Sequence, residues 1–543
     1  MADLNLQSFE KLSPFEIKDE LIKLAKKTSK TTQSAFLNAG RGNPNWIATT
    51  PREGFFLLGQ FAVTESKRVM EDPAGLGGMP KARGIAHRLD EWLAMYPDMP
   101  GASFLTDLVP FAVKTFGFDP DAFVHELVDS IIGDNYPVPD RMLVHNERIT
   151  HEYLMWAMCG EPRPAGKFDL YAVEGGTAAM CYIFKSLKAN RLLHPGDTIA
   201  LGTPIFTPYL EMTHLEDYDL KMVTIESPQE NRFQPTDEAL KKLEDPKVKA
   251  FFVVNPGNPT GMALNAESIA KIANLVRTKR PDLMLLTDDV YGTFVPGFRS
   301  LLGELPHNTI GVYSYSKYFG CTGWRLGVIS VHEDNIYDKM LANLPDADLR
   351  ALDKRYGALT LEPRKIKFID RIVADSRDVA LNHTAGLSLP QQVMMSLFSL
   401  SELMDSEKSY QTACREIVYR RLYAILEGLD LQLPPNPNFD AYYALIDFEF
   451  WAKKNIGEDA VAWLKKHVHP LDLAFRLAED HGIVLLNGSG FEAPNWSLRV
   501  SLANLDDEAY EEIGRGVRSI ARGYRQAFEA SRQREEEAAP VGD

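Results

Sequence analysis

Short apolar runs alternate with amphipathic stretches along the middle of the chain, from about residue 168 to residue 330. The runs have the character of buried strands, and the stretches between them repeat their apolar positions with the period of a helix. We predict strands at 169–173, 198–202, 221–225, 249–255, 283–288, 309–313 and 325–331, and helices at 177–192, 235–244 and 265–279. This alternation is typical of an α/β domain with a mostly parallel sheet.

The pattern changes on both sides of this segment. Ser13, Pro14 and Glu16 predict a helix start, because serine caps a helix, proline suits its first position and glutamate completes a capping box. Residues 52 to about 132 and 333 to about 430 have mostly helical patterns. The last part of the chain mixes helices with predicted strands at 441–448, 483–486 and 497–503, which is an α+β pattern.

A chain of 543 residues exceeds what one hydrophobic core usually supports, so we predict several domains. The predicted segments are an N-terminal arm with part of a small domain at 1–60, a helical insertion at 61–132, a large α/β domain at 133–335, a helical insertion with domain-connecting helices at 336–430, a C-terminal small domain at 431–530 and a flexible tail at 531–543. The tail is charged and lies at a terminus, where chains commonly fray.

Composition and charge narrow the possible functions. The 75 acidic residues outnumber the 59 basic ones and give a formal charge of −16, which argues against a nucleic-acid partner. The four cysteines are scattered without a CxxC pair, so neither a disulfide framework nor a metal site is predicted. No signal-peptide pattern and no apolar run of membrane-spanning length is found in the sequence, so we expect a cytoplasmic location and no membrane contact.

The segment 314–327 carries the strongest chemical signal. Lys317 stands where a predicted strand opens into a glycine-rich turn, so the scaffold can hold its amine and partly desolvate it. A partly desolvated lysine loses its proton more easily, and its neutral amine condenses with carbonyl compounds. The hydroxyls of Ser314 and Ser316 and the guanidinium of Arg325 can receive a phosphate. An aldehyde-reactive amine beside a phosphate-binding group is what pyridoxal 5′-phosphate (PLP) requires.

Two further motifs follow predicted strands. Gly176 and Thr177 stand where a strand gives way to a helix, and the amides of a helix start, together with the threonine hydroxyl, form a phosphate seat. Asn258 follows the strand 249–255 and can donate a hydrogen bond to the phenolate oxygen of PLP.

The strand 283–288 ends in two adjacent aspartates, Asp288 and Asp289. An aspartate at this edge can pair with the protonated pyridine nitrogen of PLP, and the two carboxylates would point to opposite sides of a continuing strand. Tyr291 would reach the phenolate side of the ring, and an aromatic residue within 204–209 could stack on its face.

Each of these signals also has a plainer interpretation. Lys317 can belong to a basic surface loop, 174–179 can be an ordinary strand-to-helix turn, and 255–261 is rich in turn-forming residues. Asp288 and Asp289 can cap a helix. The positions at strand ends within one alternating segment favour a shared site, because ligand-binding loops gather at the carboxyl ends of parallel strands.

With these motifs the chain resembles the fold-type I PLP enzymes of the class I and II aminotransferase family. The motifs that carry the resemblance are Gly175-Gly176-Thr177, Asn258-Pro259-Thr260-Gly261, Asp288-Asp289-Val290-Tyr291, and Ser314-Tyr315-Ser316-Lys317 with Arg325. The resemblance is close over about residues 35–46 and 133–330 and looser in the C-terminal part. It implies a large domain with a mostly parallel seven-stranded sheet and a smaller α+β domain built from both termini, with extra helical insertions.

The resemblance also implies roles for individual residues. Lys317 would bond covalently to PLP, Asp288 would pair with the pyridine nitrogen, and Tyr291 would join them as a catalytic residue. The other implied cofactor-binding residues are Gly176, Thr177, Phe206, Asn258, Ser314, Arg325 and, reaching across a dimer interface, Tyr136. The implied substrate-binding residues are Arg499, which would hold the α-carboxylate, with Gly42, Arg41 and Asn258.

A narrower resemblance, to the bacterial aspartate 4-decarboxylases, spans essentially the whole chain. It rests on the length of the chain, on the helical blocks at about 60–130 and 335–385, and on the sequence segments 37–48 and 254–261. It implies conversion of L-aspartate to L-alanine and CO2 with side aspartate aminotransferase activity, in a homo-oligomer that is at least a dimer with shared active sites. A plain aspartate aminotransferase is the alternative. A PLP-binding regulatory module is disfavoured by the acidic balance and the lack of a basic helix-turn-helix pattern.

Arg41 and His87 lie outside these motifs. Arg41, in the first glycine loop, can contact the β-carboxylate of the substrate or serve as a structural arginine at a subunit interface. His87 can donate a proton at Cβ, but its helical surroundings favour an exposed surface histidine, and we leave it out of the site.

Overall fold

The computed structural model describes residues 6–9, 12–32, 35–214, 218–378 and 385–538. Within these ranges the strands are β1 (Leu37–Asn38), β2 (Phe168–Val173), β3 (Thr198–Thr203), β4 (Lys221–Glu226), β5 (Val248–Val254), β6 (Met284–Asp288), β7 (Thr309–Ser314), β8 (Gly327–His332), β9 (Tyr443–Asp447), β10 (Ile483–Val484), β11 (Leu486–Asn487) and β12 (Ser497–Ser501).

The α-helices of the same ranges are α1 (Leu6–Phe9), α2 (Pro14–Thr32), α3 (Thr50–Val69), α4 (Ile85–Met95), α5 (Ala102–Phe116), α6 (Pro120–Ile132), α7 (Val144–Leu154), α8 (Gly176–Ala189), α9 (Thr207–His214), α10 (Asp237–Lys241), α11 (Ala266–Thr278), α12 (Leu301–Glu304), α13 (Ile336–Ala342), α14 (Asp346–Tyr356), α15 (Phe368–Asp375), α16 (Leu389–Met404), α17 (Ser409–Leu429), α18 (Phe448–Ile456), α19 (Glu458–His467), α20 (Asp472–His481) and α21 (Asp507–Ala538). No helix in these ranges is long and apolar enough to span a bilayer.

The central sheet contains seven strands in the order β2-β8-β7-β6-β5-β3-β4. Strands β3 to β7 pair in parallel, whereas β8 runs antiparallel to both β2 and β7. The reversal follows from the connection, because β8 returns from β7 through the loop 315–326 without a crossover helix. The predicted mostly parallel, seven-stranded sheet is confirmed.

Side chains of the central strands alternate between two buried faces. On β6, Leu285 packs with Ile272 of α11, whereas Leu286 packs on the other face with Ile183 of α8. This alternation follows from the period of two of a β-strand, and continuous burial of both faces is usual in parallel sheets covered by helices. The covered sheet fixes the carboxyl ends of β5, β6 and β7 at one edge.

The two predicted helical blocks pack differently. Helices α3 to α6 share a core with α16, in which Phe61, Leu108 and Leu397 are buried together. Helix α3 runs through the predicted boundary between residues 60 and 61, so the first block continues directly from the N-terminal segment. Helices α13 to α15 instead cover the central sheet, where Phe368 joins the core of α8.

The small domain uses both ends of the chain. Strands β11, β12 and β9 form an antiparallel sheet in that order, and β1 pairs in parallel with β10, with Leu37 opposite Ile483. Helix α2 packs on α20. The implied α+β domain from both termini is therefore present.

The predicted flexible tail at 531–543 overlaps the end of a long helix, and its flexibility stays a prediction. Helix α21 continues to Ala538, and residues 539–543 lie outside the described residues. Arg525 pairs with Glu529 at 2.9 Å and Arg532 with Glu536 at 3.5 Å. Ion pairs four residues apart stabilise a helix, which explains why a charged segment remains helical.

Candidate active site

A cavity lies at the carboxyl ends of β5, β6 and β7, where the central sheet faces strands β9 and β12 of the small domain. Its lining brings together most of the residues singled out in the sequence: Gly42, Gly176, Thr177, Phe206, Asn258, Asp288, Tyr291, Ser314, Lys317, Arg325 and Arg499. Parallel strands place their carboxyl ends at one edge, which is why residues far apart in the chain meet here.

Lys317 lies in the loop after β7 and reaches across to the small-domain side of the cavity. Its Nζ donates a hydrogen bond to the carbonyl oxygen of Gly42 at 3.0 Å. The Tyr442 hydroxyl donates to the same oxygen at 2.7 Å. The amine is therefore held at the cavity wall by a backbone group and has no carboxylate partner among the described ion pairs.

Asp288 ends β6 and presents its carboxylate to the cavity. The Tyr209 hydroxyl donates to Oδ2 of Asp288 at 2.6 Å. Burial raises the pKa of Asp288, while the Tyr209 hydrogen bond, the Val290 amide and the positive charge of Lys317 act in the opposite direction. A buried carboxylate with one phenol partner is suited to accept a further hydrogen bond from a protonated ring nitrogen.

The neighbouring Asp289 points away from the cavity. Its carboxylate accepts hydrogen bonds from the hydroxyls of Thr287 at 2.6 Å and Ser300 at 2.5 Å. Burial raises the pKa of Asp289 to about 8. Adjacent residues of a strand project to opposite faces, so only Asp288 of the two reaches the cavity.

One end of the cavity is rich in groups that bind phosphate. Helix α8 begins at Gly176, and its start lies beside Ser314 and the guanidinium of Arg325, which line the cavity together with Ser316. Gly175 has φ +90°, and a Cβ there would overlap the Arg325 guanidinium. The glycine is therefore required both by its backbone conformation and by the close approach of the arginine.

Arg499 lies at the other end, on β12, and is 1% exposed. Its guanidinium donates to Asn258 Oδ1 at 3.1 Å and to the carbonyl oxygen of Gly40 at 2.9 Å, while its Nε has no partner among the described residues. No carboxylate pairs with it in the described part of the chain. A buried cation without a counter-charge is costly, so this position is suited to an anionic ligand.

Aromatic side chains close the remaining walls. Phe206 lines the cavity and makes edge contacts with Phe15 at 5.8 Å and with Tyr209 at 5.5 Å between ring centroids. Tyr291 donates to the Tyr443 hydroxyl at 3.5 Å. Both Tyr291 and Tyr443 are buried, so this wall presents phenol groups in a desolvated setting.

The lining residues that the sequence analysis did not assign to the site include Tyr209, Phe15 and Tyr443. Tyr209 belongs to the segment considered for ring stacking, but Phe206 was chosen there. Phe15 carries only a helix-start signal, and Tyr443 only the pattern of a strand, so neither has a local signature of a site. Their participation depends on how the small domain packs against the sheet.

Two predicted residues are not part of this cavity. The Arg41 side chain is exposed, and Tyr136 is 67% exposed. The roles of both residues stay predictions. Tyr136 is expected to reach the site of a second subunit, and the alternative for Arg41 is a structural role at a subunit interface. His87 is exposed on α4 and lies 3.4 Å from Glu91, in agreement with its interpretation as a surface histidine.

The residues fit PLP. An amine, a buried carboxylate and a phosphate-binding helix start with an arginine stand around one cavity, and the buried Arg499 leaves room for a carboxylate ligand. Lys317 would hold the aldehyde carbon, Asp288 the pyridine nitrogen, and Gly176, Thr177, Ser314 and Arg325 the phosphate. Fold and site together define a PLP-dependent enzyme of fold type I.

Comparison with known proteins narrows this class. Residues 175–516 match the family model "Aminotransferase class I and II". The chain belongs to this family, whose members are PLP-dependent. It is 48% identical, over 95% of its own length and 97% of the relative's, to a bifunctional aspartate aminotransferase and L-aspartate beta-decarboxylase of a Pseudomonas species.

Other relatives match less of the chain. An aspartate aminotransferase of Rhizobium meliloti is 30% identical over 30% of this chain and 39% of its own. A double mutant of the aspartate aminotransferase of Thermus thermophilus superposes with a TM-score of 0.57 at 18% identity, covering 96% of this chain and all of that one. The structural likeness supports the fold.

Proposed function

We propose that the protein converts L-aspartate to L-alanine and CO2 by PLP-dependent β-decarboxylation, with aspartate aminotransferase activity as a side reaction. The observation that carries this proposal is the 48% identity to the bifunctional Pseudomonas enzyme. Because that match covers 95% of the chain, it extends well beyond the segment 175–516 of the general family model.

The cavity residues support this chemistry. When bound, PLP supplies an aldehyde that bonds to amines and a ring that accepts electron density from a bond broken beside the attached carbon. Arg499 binds the α-carboxylate of aspartate and so places Cα near Lys317. The Lys317 amine removes the Cα proton as a general base, and Asp288 keeps a proton on the pyridine nitrogen.

The distribution of positive charge suits loss of CO2. Among the described lining residues, the cations are Lys317, Arg325 and Arg499. Arg325 lies at the phosphate end and Arg499 is assigned to the α-carboxylate, so no further arginine of the cavity grips the β-carboxylate. Carbon dioxide leaves without charge, and a strong ground-state grip on the departing carboxylate would slow the step.

The test is incubation of the purified, PLP-loaded protein with L-aspartate, with alanine, CO2 and the cofactor absorbance followed together. We expect equal amounts of alanine and CO2 over many turnovers, and none with the Lys317→Ala variant. Oxaloacetate formed with a 2-oxo acid acceptor, without CO2 beyond its spontaneous loss, would identify a plain aminotransferase instead.

The assembly and location are part of the same proposal. We infer a homo-oligomer, at least a dimer, in which Tyr136 of one subunit reaches the phosphate site of another, in a cytoplasmic enzyme that contributes to alanine formation. Large apolar side chains exposed on the first helical block and beyond it support subunit contacts: Phe56, Val63, Met70, Leu76, Met79 and Val138. Sedimentation at several concentrations tests the assembly.

A further inference from the structure

The proposed reaction needs two proton transfers at different carbons. Lys317 serves Cα, whereas loss of CO2 leaves an electron pair at Cβ that must also be protonated. Besides Lys317 and water, the groups able to do this are the hydroxyls around the cavity, and most of these hydroxyls have another partner. Tyr209 donates to Asp288, and Tyr442 donates to the carbonyl oxygen of Gly42.

Tyr443 lies close to both Arg499 and Lys317. It opens β9 opposite Ser501 of β12, so its side chain lies on the same face as that of Arg499, two residues along β12. The Arg499 guanidinium lies 4.3 Å from the Tyr443 ring centroid. A substrate that binds Arg499 through its α-carboxylate therefore lies alongside this ring.

The Tyr443 hydroxyl also flanks Lys317. The position that a Cβ on Gly42 would occupy is 2.6 Å from the Tyr443 Oη and 3.2 Å from the Lys317 Nζ. Tyr291 donates to the Tyr443 oxygen, and no acceptor for the Tyr443 hydrogen is found among the described residues. This hydrogen is thus available to a ligand in the cavity.

The charges around Tyr443 favour proton release. Burial acts to raise the pKa of Tyr443, but the positive charges of Lys317 and Arg499, with the Tyr291 hydrogen bond, outweigh it and lower that pKa, while Asp440 opposes them. A phenol with a lowered pKa is a better general acid near neutral pH.

We propose that Tyr443 is the catalytic residue that protonates Cβ after decarboxylation, an inference that rests on the proposed function. The bond between Cβ and the carboxylate carbon breaks, CO2 departs, and the electron pair left at Cβ takes the proton as the Tyr443 O–H bond breaks. The phenolate then takes a proton from solvent, which supplies the one proton that the overall conversion of aspartate to alanine consumes.

The test is a single turnover of the PLP-loaded enzyme with L-aspartate labelled in its β-carboxylate, with CO2 and alanine measured in the same samples. In the wild type the two products rise together. In Tyr443→Phe we expect CO2 to precede alanine, with alanine formation slowed about 100-fold. A merely structural role would slow both products and leave them in step.

Tyr442→Phe is the matched control, since it removes the hydroxyl of the adjacent buried tyrosine, and there the products should stay in step. If Tyr443→Phe does not bind PLP, Gly42→Ala displaces the same hydroxyl and should separate the products. If CO2 and alanine rise together in whichever variant binds PLP, the assignment of Tyr443 is overturned, and Lys317 or water is the donor. A wild type that releases no CO2 would overturn the proposed function, and this inference with it.

A second readout needs no cofactor. The ultraviolet absorbance of the PLP-free wild type, minus that of Tyr443→Phe, should show one phenolate forming below the ordinary tyrosine pKa of 10.0. Lys317→Ala should move this ionisation to higher pH, because it removes a neighbouring positive charge. No extra phenolate below pH 10.0 would overturn the inference that Lys317 and Arg499 lower the pKa of Tyr443.

Discussion

Asp288 and Asp289 are chemically identical neighbours with different surroundings. Asp288 lines the cavity and accepts a hydrogen bond from Tyr209, whereas Asp289 is enclosed by Thr287 and Ser300. Since a strand directs adjacent side chains to opposite faces, only Asp288 is placed to meet the pyridine nitrogen.

This difference gives a prediction with an internal control. Asp288→Asn should lower turnover of L-aspartate at least about 100-fold, because an amide does not hold a proton on the ring nitrogen. Asp289→Asn replaces a buried carboxyl whose pKa is raised to about 8 and should affect thermal stability more than turnover. Steady-state kinetics on both variants at neutral pH, with PLP absorbance as the check on loading, decide the assignment.

Arg41 is exposed in the single chain and does not line the cavity. If it meets the β-carboxylate in the assembled enzyme, Arg41→Ala should lower the ratio of decarboxylation to transamination, because an exposed arginine orients the bond to be broken without the strong grip of a buried one. The measurement is alanine against oxaloacetate formed from L-aspartate in the presence of a 2-oxo acid. An unchanged ratio with a raised KM would reduce Arg41 to a binding residue.

At the scale of elements, helix α16 links the first helical block to the active-site turn. It shares a core with α3 to α6, and its Glu402 accepts a hydrogen bond from the hydroxyl of Tyr318, next to Lys317, at 2.9 Å. Glu402 is 6% exposed, and burial raises its pKa from 4.5 to about 8. A change of charge on Glu402 would therefore alter the electrostatic potential close to Lys317.

Glu402 should make stability depend on pH. Because its folded-state pKa is raised, its protonated form stabilises the fold fully below pH 4.5, and this contribution is lost as pH rises through about 8. Glu402→Gln stays neutral throughout, so its Tm should fall less than that of the wild type between these pH values. Parallel slopes of Tm against pH for the two proteins would contradict the prediction.

At the scale of the whole molecule, the two ends of the chain build one wall of the site. Strand β1 pairs with β10, Gly42 follows β1, and Arg499 is carried by β12. The cavity thus depends on docking of the small domain onto the central sheet. Exposed apolar residues on the first helical block are available for contact with a second subunit.

Subunit sharing can be tested by complementation. Lys317→Ala and Tyr136→Ala subunits each carry one defect, and a hybrid dimer contains one site with both residues intact. If dimers re-form at random, about one quarter of wild-type activity should return on mixing, since half of the dimers are hybrids with one good site. Activity no greater than the average of the separate variants would place Tyr136 outside the partner's site.

The site residues at strand ends could be predicted from the sequence because the patterns that reveal them are local. An apolar run followed by Gly176, Asn258, Asp288 or Lys317 fixes both the strand and the residue at its end. Once the sheet is parallel, those ends meet at one edge whatever the details of packing. The seven strands were therefore predicted within two residues of their observed bounds.

The tertiary structure alone decided the rest of the site. Tyr443 meets Lys317, and Phe15 meets Phe206, across more than a hundred residues of sequence, and nothing in the local pattern of Tyr443 or Phe15 indicates a cavity. The resemblance implied Asp288 rather than Asp289, and the tertiary structure adds the physical reason, because Asp288 lines the cavity while Asp289 is enclosed by Thr287 and Ser300. Sequence patterns specify elements through short-range propensity and burial, whereas contacts between domains depend on how those elements pack in three dimensions.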